Sequence, residues 1–463
     1  MKVNTVPSGN GSAYSATSPL LRALSAFTFT AIIAIGLGLL PGVAQAQGPD
    51  RAHVIVQFDD TSLTVRPIDF TAPISGLLAL QLTGLDMTTQ SFGWGTAVCA
   101  IEGVGCPADN CFCDPTNFWS YNYWDGSAWQ SYMVGADSST VGNGAVEGWR
   151  WGPWGSEIKA ARPITAAATA LEWLRLQQSP VDGGYDTTGS TVETLFAIGA
   201  NERKAADWRR GLNNPSLLHY MMGHSASFAR NGAASAGKVA VGLVATDGCR
   251  PYGTKSPLDF YDPATGVFSD TYQGAGSQAW GILGVAALNQ GVPNDAVSHL
   301  KSLQLGNGAW EWQTGFGDDT NITALAVQAL VAAGEPVGSS TVISAMNYLK
   351  TMQGDDGGFR YDNIWSAGSD TNSTAYVVQA ILAIGQDPVS SQWTINNTNP
   401  ISYLLGMQLG DGSFEWQPGS GSNRLATQQA IPALLGRPQP IKVADLALCR
   451  TLFLPVIRKL STN

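Results

Sequence analysis

From Pro163 to Leu435 the chain alternates between apolar runs rich in Ala, Val, Leu and Ile and short polar loops that carry an aromatic residue, usually beside glycine. The loops centre on Gly183-Gly184-Tyr185, Ser227-Phe228, Gly266-Val267-Phe268, Gly308-Ala309-Trp310, Gly357-Gly358-Phe359 and Gly412-Ser413-Phe414. Four of them follow a helix that ends in Leu or Met plus Gln, at Leu176-Gln177, Leu303-Gln304, Met352-Gln353 and Met407-Gln408. Each loop opens a small-residue helix, such as Ser190 to Ile198, Ala233 to Ala245, Ser277 to Leu288 or Leu425 to Leu435. The repeat is plainest between Ser302–Leu330 and Tyr348–Ile381, which share the Gln, the Gly-aromatic loop and the string Asp-Thr-Asn-x-Thr-Ala. Six helical hairpins result. A hairpin cannot bury its own apolar face, so stacked units either end in caps or curl until the last packs on the first. The Ala-rich inner helices allow the close approach that a ring of six requires.

The pattern before Pro163 is different. His53 to Phe58 and Ser62 to Val65 alternate like short strands, Ile74 to Gly84 reads as an apolar helix, and Ala97 to Val104 as another strand. Phe118 to Tyr132 places Asp125-Gly126 between aromatic-rich alternating runs, the chemistry of a tight hairpin turn. Val146 to Trp151 closes the sheet. The expected fold class is α+β, with a small, mostly antiparallel β domain over 51–153 followed by a closed six-hairpin α/α toroid over 160–436.

The Gln-x-x-x-Gly-Gly-aromatic loops resemble those of the terpenoid cyclase and protein prenyltransferase superfamily, which implies an α/α toroid. The apolar helix, the Trp119 to Trp129 hairpin, the turn Val134-Gly135-Ala136-Asp137 and the closing Gly144 to Gly152 resemble the β domain of transcobalamin and intrinsic factor. The starts Asp319-Thr320 and Asp370-Thr371 are also similar to inner-helix starts of the transcobalamin barrel. In those carriers the order of the two domains is the reverse, and the cysteine-rich insert here is not part of their pattern.

Composition narrows the setting. Apolar residues make up 44% and charged residues 13%, which describes a globular chain, and a net charge of -10 argues against a nucleic-acid partner. Lys2 and Arg22 precede the apolar run Ala26 to Val43 and the triplet Ala44-Gln45-Ala46, as in a secretory signal over 1–46. Export favours disulfides over zinc for Cys99, Cys106, Cys111 and Cys113, while Cys249 and Cys449 stand far apart. The tail, 437–463, holds the apolar piece Leu446 to Ile457, either packed on the toroid or a surface-attachment signal. Membrane contact is expected only through the signal or an attached partner, and the chain is expected to be a monomer.

Among sites, a cyclase of that superfamily protonates an alkene with an Asp-x-Asp-Asp set in an apolar cavity. Asp318 and Asp319 stand at the matching place, but the first acid is replaced by Phe316. Asp370 repeats the context after Ser369, so a helix N-cap accounts for both acids. Asp247-Gly248-Cys249 imitates part of the prenyltransferase zinc set, without a His at comparable spacing. Asp355, Asp356, Asp186, Glu311 and Glu415 offer carboxylates for glycoside hydrolysis, but no pair is singled out.

In a closed toroid the unpaired N–H groups of all six inner helices converge on one mouth. Around it the sequence places Asp319, Asn321, Asp370, Asn372 and Asn423, with Tyr185, Trp310, Trp312, Phe359, Tyr361 and Trp416. These suit a large flat ligand; the plainer alternative is that the acids cap helices and the aromatics wedge hairpins together. Tyr121, Tyr123, Trp124, Trp129 and Tyr132 offer a second aromatic face on the hairpin. The combination implies an exported carrier that clasps a corrinoid such as cobalamin between mouth and sheet. No cofactor is required, and His219 or His224 is available to cobalt. The alternatives are an exported cyclase-like enzyme and a surface module that binds polysaccharide or protein.

Overall fold

The computed structural model describes residues 50–59, 63–125, 128–156, 158, 161–246, 254–364, 366 and 368–441. The signal segment, Asp247-Gly248-Cys249, Cys449 and the apolar tail piece lie outside these residues.

The β region begins with strands β1 (Asp50–Gln57) and β2 (Leu63–Phe70), helix α1 (Gly76–Leu82), then β3 (Met87–Phe92), β4 (Gly95–Ile101) and β5 (Val104–Gly105). It continues with β6 (Phe118–Trp124), β7 (Trp129–Ser131) and β8 (Val146–Gly152). One sheet has the order β2-β1-β8-β6-β7 and the other β3-β4-β5. The expected closing strand is therefore a central one: β8 runs parallel to β1 and antiparallel to β6. Its burial on both faces explains why its sequence carries few polar positions. The hairpin turn is also longer than expected. Trp124 pairs with Trp129, leaving 125–128 between them, and the Asp125 carboxylate accepts the Ala128 N–H at 2.8 Å. The cysteine-rich insert is closed by disulfides Cys99–Cys111 and Cys106–Cys113.

The helical region contains α2 (Ala161–Gln177), α3 (Thr188–Ala200), α4 (Leu217–Ala229), α5 (Ala233–Ala245), α6 (Ala275–Ala287) and α7 (Asn294–Ser302). It ends with α8 (Thr320–Ala332), α9 (Ser340–Thr351), α10 (Thr371–Ala383), α11 (Pro400–Gly406) and α12 (Arg424–Leu434). The inner helices α3, α5, α6, α8, α10 and α12 pack each on the next, and α12 also packs on α3 and α2. Two sequence expectations shift. Ser227 and Phe228 belong to α4, not to a loop, and the third unit has a 3-10 turn, Pro257–Phe260, where an outer helix was expected.

The repeated glutamine explains the repeat. Gln304 Nε2 donates to the Gly308 carbonyl of its own loop and to Thr341 O of α9, both at 2.9 Å. Gln353 does the same to Gly357 O at 3.1 Å and Trp393 O at 2.7 Å. Gln408 reaches Gly412 O at 3.0 Å and Ala166 O of α2 at 2.8 Å, so the sixth unit holds the first. In the first unit the role falls to Gln178, one residue beyond the expected Gln177, which reaches Gly183 O and Trp208 O. In the third unit it passes to Gln278 of α6, which reaches Gly266 O and Ala296 O. The amide fixes one loop and staples the neighbouring unit in one step. The loop glycine is required as well. Gly308 has φ +91°, and a Cβ there would stand 2.4 Å from the Ser344 carbonyl.

The β region is fastened to the helices through β1. The buried Arg51 guanidinium donates to the Asn201 carbonyl and pairs with Asp69 at 2.9 Å, while the His53 ring lies 2.9 Å from Asn201 Oδ1. Burial pulls the His53 pKa down to about 4, which keeps the ring neutral at this junction.

Candidate functional site

The mouth at the start of the inner helices is more self-satisfied than the sequence predicts. Asp319 accepts the Ile322 N–H at 2.7 Å, Asp370 that of Ser373 at 2.8 Å, and Asn423 that of Ala426 at 2.9 Å. The first helical N–H groups are taken by the following unit's loop, Thr320 N by Tyr361 O and Thr371 N by Trp416 O, each at 2.9 Å. The expected convergence of unpaired donors is therefore absent from these helices. The Thr320 and Thr371 hydroxyls donate to the same following loops, at Arg360 O and Glu415 O, so each loop lies over the helix start before it.

The aromatics divide by position. Tyr185, Trp310 and Phe359 are buried core and not mouth residues. Their backbone N–H groups donate to Thr191, Thr323 and Thr374, and the Trp310 indole donates to Leu300 O at 2.8 Å, so they wedge the hairpins. The aromatic two residues later remains accessible at Tyr361 and Trp416, while Trp312 covers Gly276 at the start of α6. Asn372 donates to Gln429 at 2.6 Å and Asn321 is half-buried. His224 stacks on Tyr220 and contacts its carbonyl at 2.8 Å, and like His219 it stands on α4, outside the set of inner helices. Tyr121 is stacked between Tyr132 and Trp149, and both tyrosine hydroxyls donate to the buried Glu147, so this part of the hairpin is packed rather than presented.

Asp318 and Asp319 differ. Asp318 accepts from Asn307 Nδ2 at 2.9 Å near the surface, and Phe316 beside it is 73% exposed. Asp319 is buried, and burial pushes its pKa up to about 7 against the pull of the Ile322 N–H and the Tyr361 hydroxyl. The native state thus holds this proton up to about pH 7, whereas the unfolded chain releases it near 3.8. Between those values the unfolded state binds fewer protons, so stability falls as pH rises, and above pH 7 the slope vanishes. Asp319→Asn keeps the cap oxygen and removes the titration. Urea unfolding is expected to show the parent losing about 2–3 kcal/mol relative to this variant between pH 5 and pH 8.

Two spaces were not foreseen. One lies among the inner helices, where Glu193, Phe196, Trp280, Tyr376, Gln379 and Gln428 enclose about 10 Å³, room for about one water molecule. Beside it Lys238 Nζ of α5 pairs with Glu193 of α3 at 2.9 Å and lies 4.9 Å from the Trp280 ring. The other is an open cleft of about 530 Å³ at the junction of the β region with the helices. Trp124 of the hairpin stands over it, α2 contributes Arg162, Glu172 and Trp173, and the last repeat contributes Leu405, Leu409 and Asp411. The Trp173 indole donates to Asp411 Oδ2 at 3.1 Å, and Trp124 packs edge-on against Trp129 at 5.7 Å. Of the residues expected to bind a ligand, only Trp124 lines this cleft.

No protein-family model and no curated protein matches the chain. Terpene cyclases and a protein prenyltransferase are among the solved structures to which it is similar. The type II terpene cyclase MstE from Scytonema is 13% identical over 59% of this chain and 98% of that one, with a TM-score of 0.41. The ent-copalyl diphosphate synthase from Streptomyces platensis is 17% identical over 61% and 51%, with a TM-score of 0.33. The protein geranylgeranyltransferase-I of Candida albicans, complexed with GGPP, is 14% identical over 62% and 89%, with a TM-score of 0.37. No helix among the described residues is long and apolar enough to cross a membrane.

Proposed function

We propose that the chain is an exported ligand-binding protein, with its helical region a closed toroid, that takes a saccharide in the cleft between hairpin, α2 and the last repeat. The observation that carries this reading is the cleft itself: about 530 Å³, within the range of small-molecule sites, with two tryptophans and flanking carboxylates. Sugars have apolar ring faces that stack on indoles and hydroxyls that bond to carboxylates and amides. Here Trp124 and Trp173 supply the former and Glu172, Asp411 and Gln408 the latter. The acidity of the chain disfavours polyanionic ligands. The return of α12 to α3 supports ring closure.

The test is calorimetric titration of the mature protein with a panel of neutral oligosaccharides, alongside cobalamin. Saccharide binding at micromolar concentration, lost on substitution in the cleft, supports the reading. Heat with cobalamin alone would restore the corrinoid carrier, and no heat with any saccharide would sink the proposal.

A second reading rests on Asp319, a buried carboxyl poised near neutrality as an acid catalyst needs to be. It makes the protein a cyclase-like enzyme. Against it stands the capping bond Asp319 already makes. Turnover of a polyprene by the parent and its loss in Asp319→Asn would favour this reading over the first.

A further inference from the structure

The hairpin of β3 and β4 carries a feature that neither the cleft nor the core uses. Phe92 pairs with Gly95, so the connection is the two-residue turn Gly93-Trp94, a place where glycine and short polar residues are usual. The fold leaves this indole outside its core, with Trp94 64% exposed. It is nevertheless held. One face stacks on Phe92, with ring centroids 5.0 Å apart and planes 4° from parallel, and Phe92 in turn meets Phe112 at 5.6 Å. Phe112 is 58% exposed and sits between Cys111 and Cys113, whose disulfides run to Cys99 of β4 and to Cys106. The Cys111 N–H also donates to Gln90 of β3 at 3.3 Å. The three rings form a column braced by the cysteine-rich insert. Because Phe92 covers one face of the indole, its exposed area lies on the other face and the edges. Rings fixed before binding lower the ordering cost for whatever stacks on them.

Size and charge together name the occupant. A whole aromatic side chain buries about 150–250 Å², so Trp94 and Phe112 expose on the order of 300 Å² between them. A stable protein interface takes about 800 Å² from each partner, and the column alone does not supply that. Between Arg66 and Arg150 the chain has no Lys, Arg or His, and it carries eight carboxylates there. A stretch of that sign repels anionic lipid headgroups and polyanionic polysaccharides, and it lacks the basic residues that accompany aromatics at a membrane surface. What fits is a neutral ligand with a flat apolar face and hydroxyls around it. A pyranose ring has both. Its C–H face stacks on an indole, and its hydroxyls donate to carboxylates. Asp109 is exposed in the same insert, and Asp137 stands beside the turn, where it accepts the Thr96 N–H at 2.8 Å.

We propose that the Trp94 column is a second saccharide-binding surface, which holds the protein to an insoluble neutral polysaccharide. It protrudes at a turn instead of lining a cavity, so it suits the face of a solid polymer. The column shares no residue with the cleft, and its role stands whether or not the cleft takes a sugar.

The experiment is depletion of the protein from solution by microcrystalline cellulose, chitin and insoluble β-1,3-glucan. Depletion by at least one polymer is expected, and added salt should leave it unchanged because no charges pair. Trp94→Ala and Phe112→Ala are each expected to weaken it by about tenfold, and Trp94→Tyr to restore part of the loss. Both side chains are exposed, so the melting points should match the parent's. Trp173→Ala, in the cleft, should bind the polymer as the parent does. No depletion by any of the three polymers, full depletion by the Trp94→Ala, Phe112→Ala double variant, equal loss in Trp173→Ala, or release by salt would each overturn the proposal. Sedimentation with phosphatidylcholine vesicles in place of the polymers would do so too.

Discussion

Replacing Gly237 with alanine is expected to destabilise the protein by more than about 3 kcal/mol, an unusually large effect for one methyl group. Gly237 lies on α5 where that helix crosses α6, and a Cβ there would stand 2.0 Å from the backbone carbonyl of Trp280. The facing Gly284 of α6 approaches equally closely, since its own Cβ would meet Gly237 Cα at 2.5 Å. Neither clash is with a side chain that can rotate away, so the two helix backbones must separate. Because α5 and α6 also pack on α3 and α8, separation of this pair strains those contacts too. Gly223→Ala is the control: it also lies within a helix, α4, but a Cβ there meets nothing within 4 Å. That change is expected to be neutral or to stabilise by up to about 1 kcal/mol. Thermal unfolding of both variants checks the pair, and similar melting points would show that α5 and α6 do not meet this way.

The second large effect concerns the cleft. Trp124→Ala and Trp173→Ala are each expected to weaken saccharide binding by about tenfold to a hundredfold, and together to abolish it at accessible concentrations. Trp124 is presented by a hairpin and braced by Trp129, while Trp173 is fixed by its bond to Asp411, so both offer their faces without reordering. Trp173→Phe retains a ring without the indole N–H, and it should recover part of the affinity if stacking is what binds. Calorimetry measures the loss, and an unchanged melting point shows that the fold is intact. Full affinity in the double variant would remove the cleft from consideration.

Much of the helical region is legible in the sequence because a repeat states its rule several times. Ala233 to Ala245 was readable to the residue, and three of the five glutamine staples, Gln304, Gln353 and Gln408, are marked by the pattern, with Gln178 one residue beyond the marked Gln177. The second unit was misplaced because Phe228 imitates a loop aromatic while sitting inside α4, and a single sequence cannot show that its neighbours are helical. The mouth was misread for a different reason. Counting unpaired N–H groups helix by helix ignores the next unit's loop, which reaches over to Thr320 and Thr371. The cleft joins residues about 240 positions apart, Trp173 and Asp411, and no local pattern announces that. The inner cavity did leave a trace. Glu193 and Lys238 are charges within otherwise apolar inner helices, and such residues are buried only when paired. Their pairing, and the glutamines around them, could have been sought from that sign alone.

The hold of the last unit on the first has a consequence in time. Gln408 reaches Ala166 across 242 residues, and Gln428 reaches Ser190 across 238. A chain emerging from its N-terminal side thus has its first hairpin in hand long before the partner that completes it exists. Until then the flank of α3 that α12 will cover faces water, and each added unit merely moves the uncovered flank along. Folding of this region is accordingly a late, single event, set by the slowest long-distance closure, and the interval before it is when the chain is most open to chaperones and to self-association.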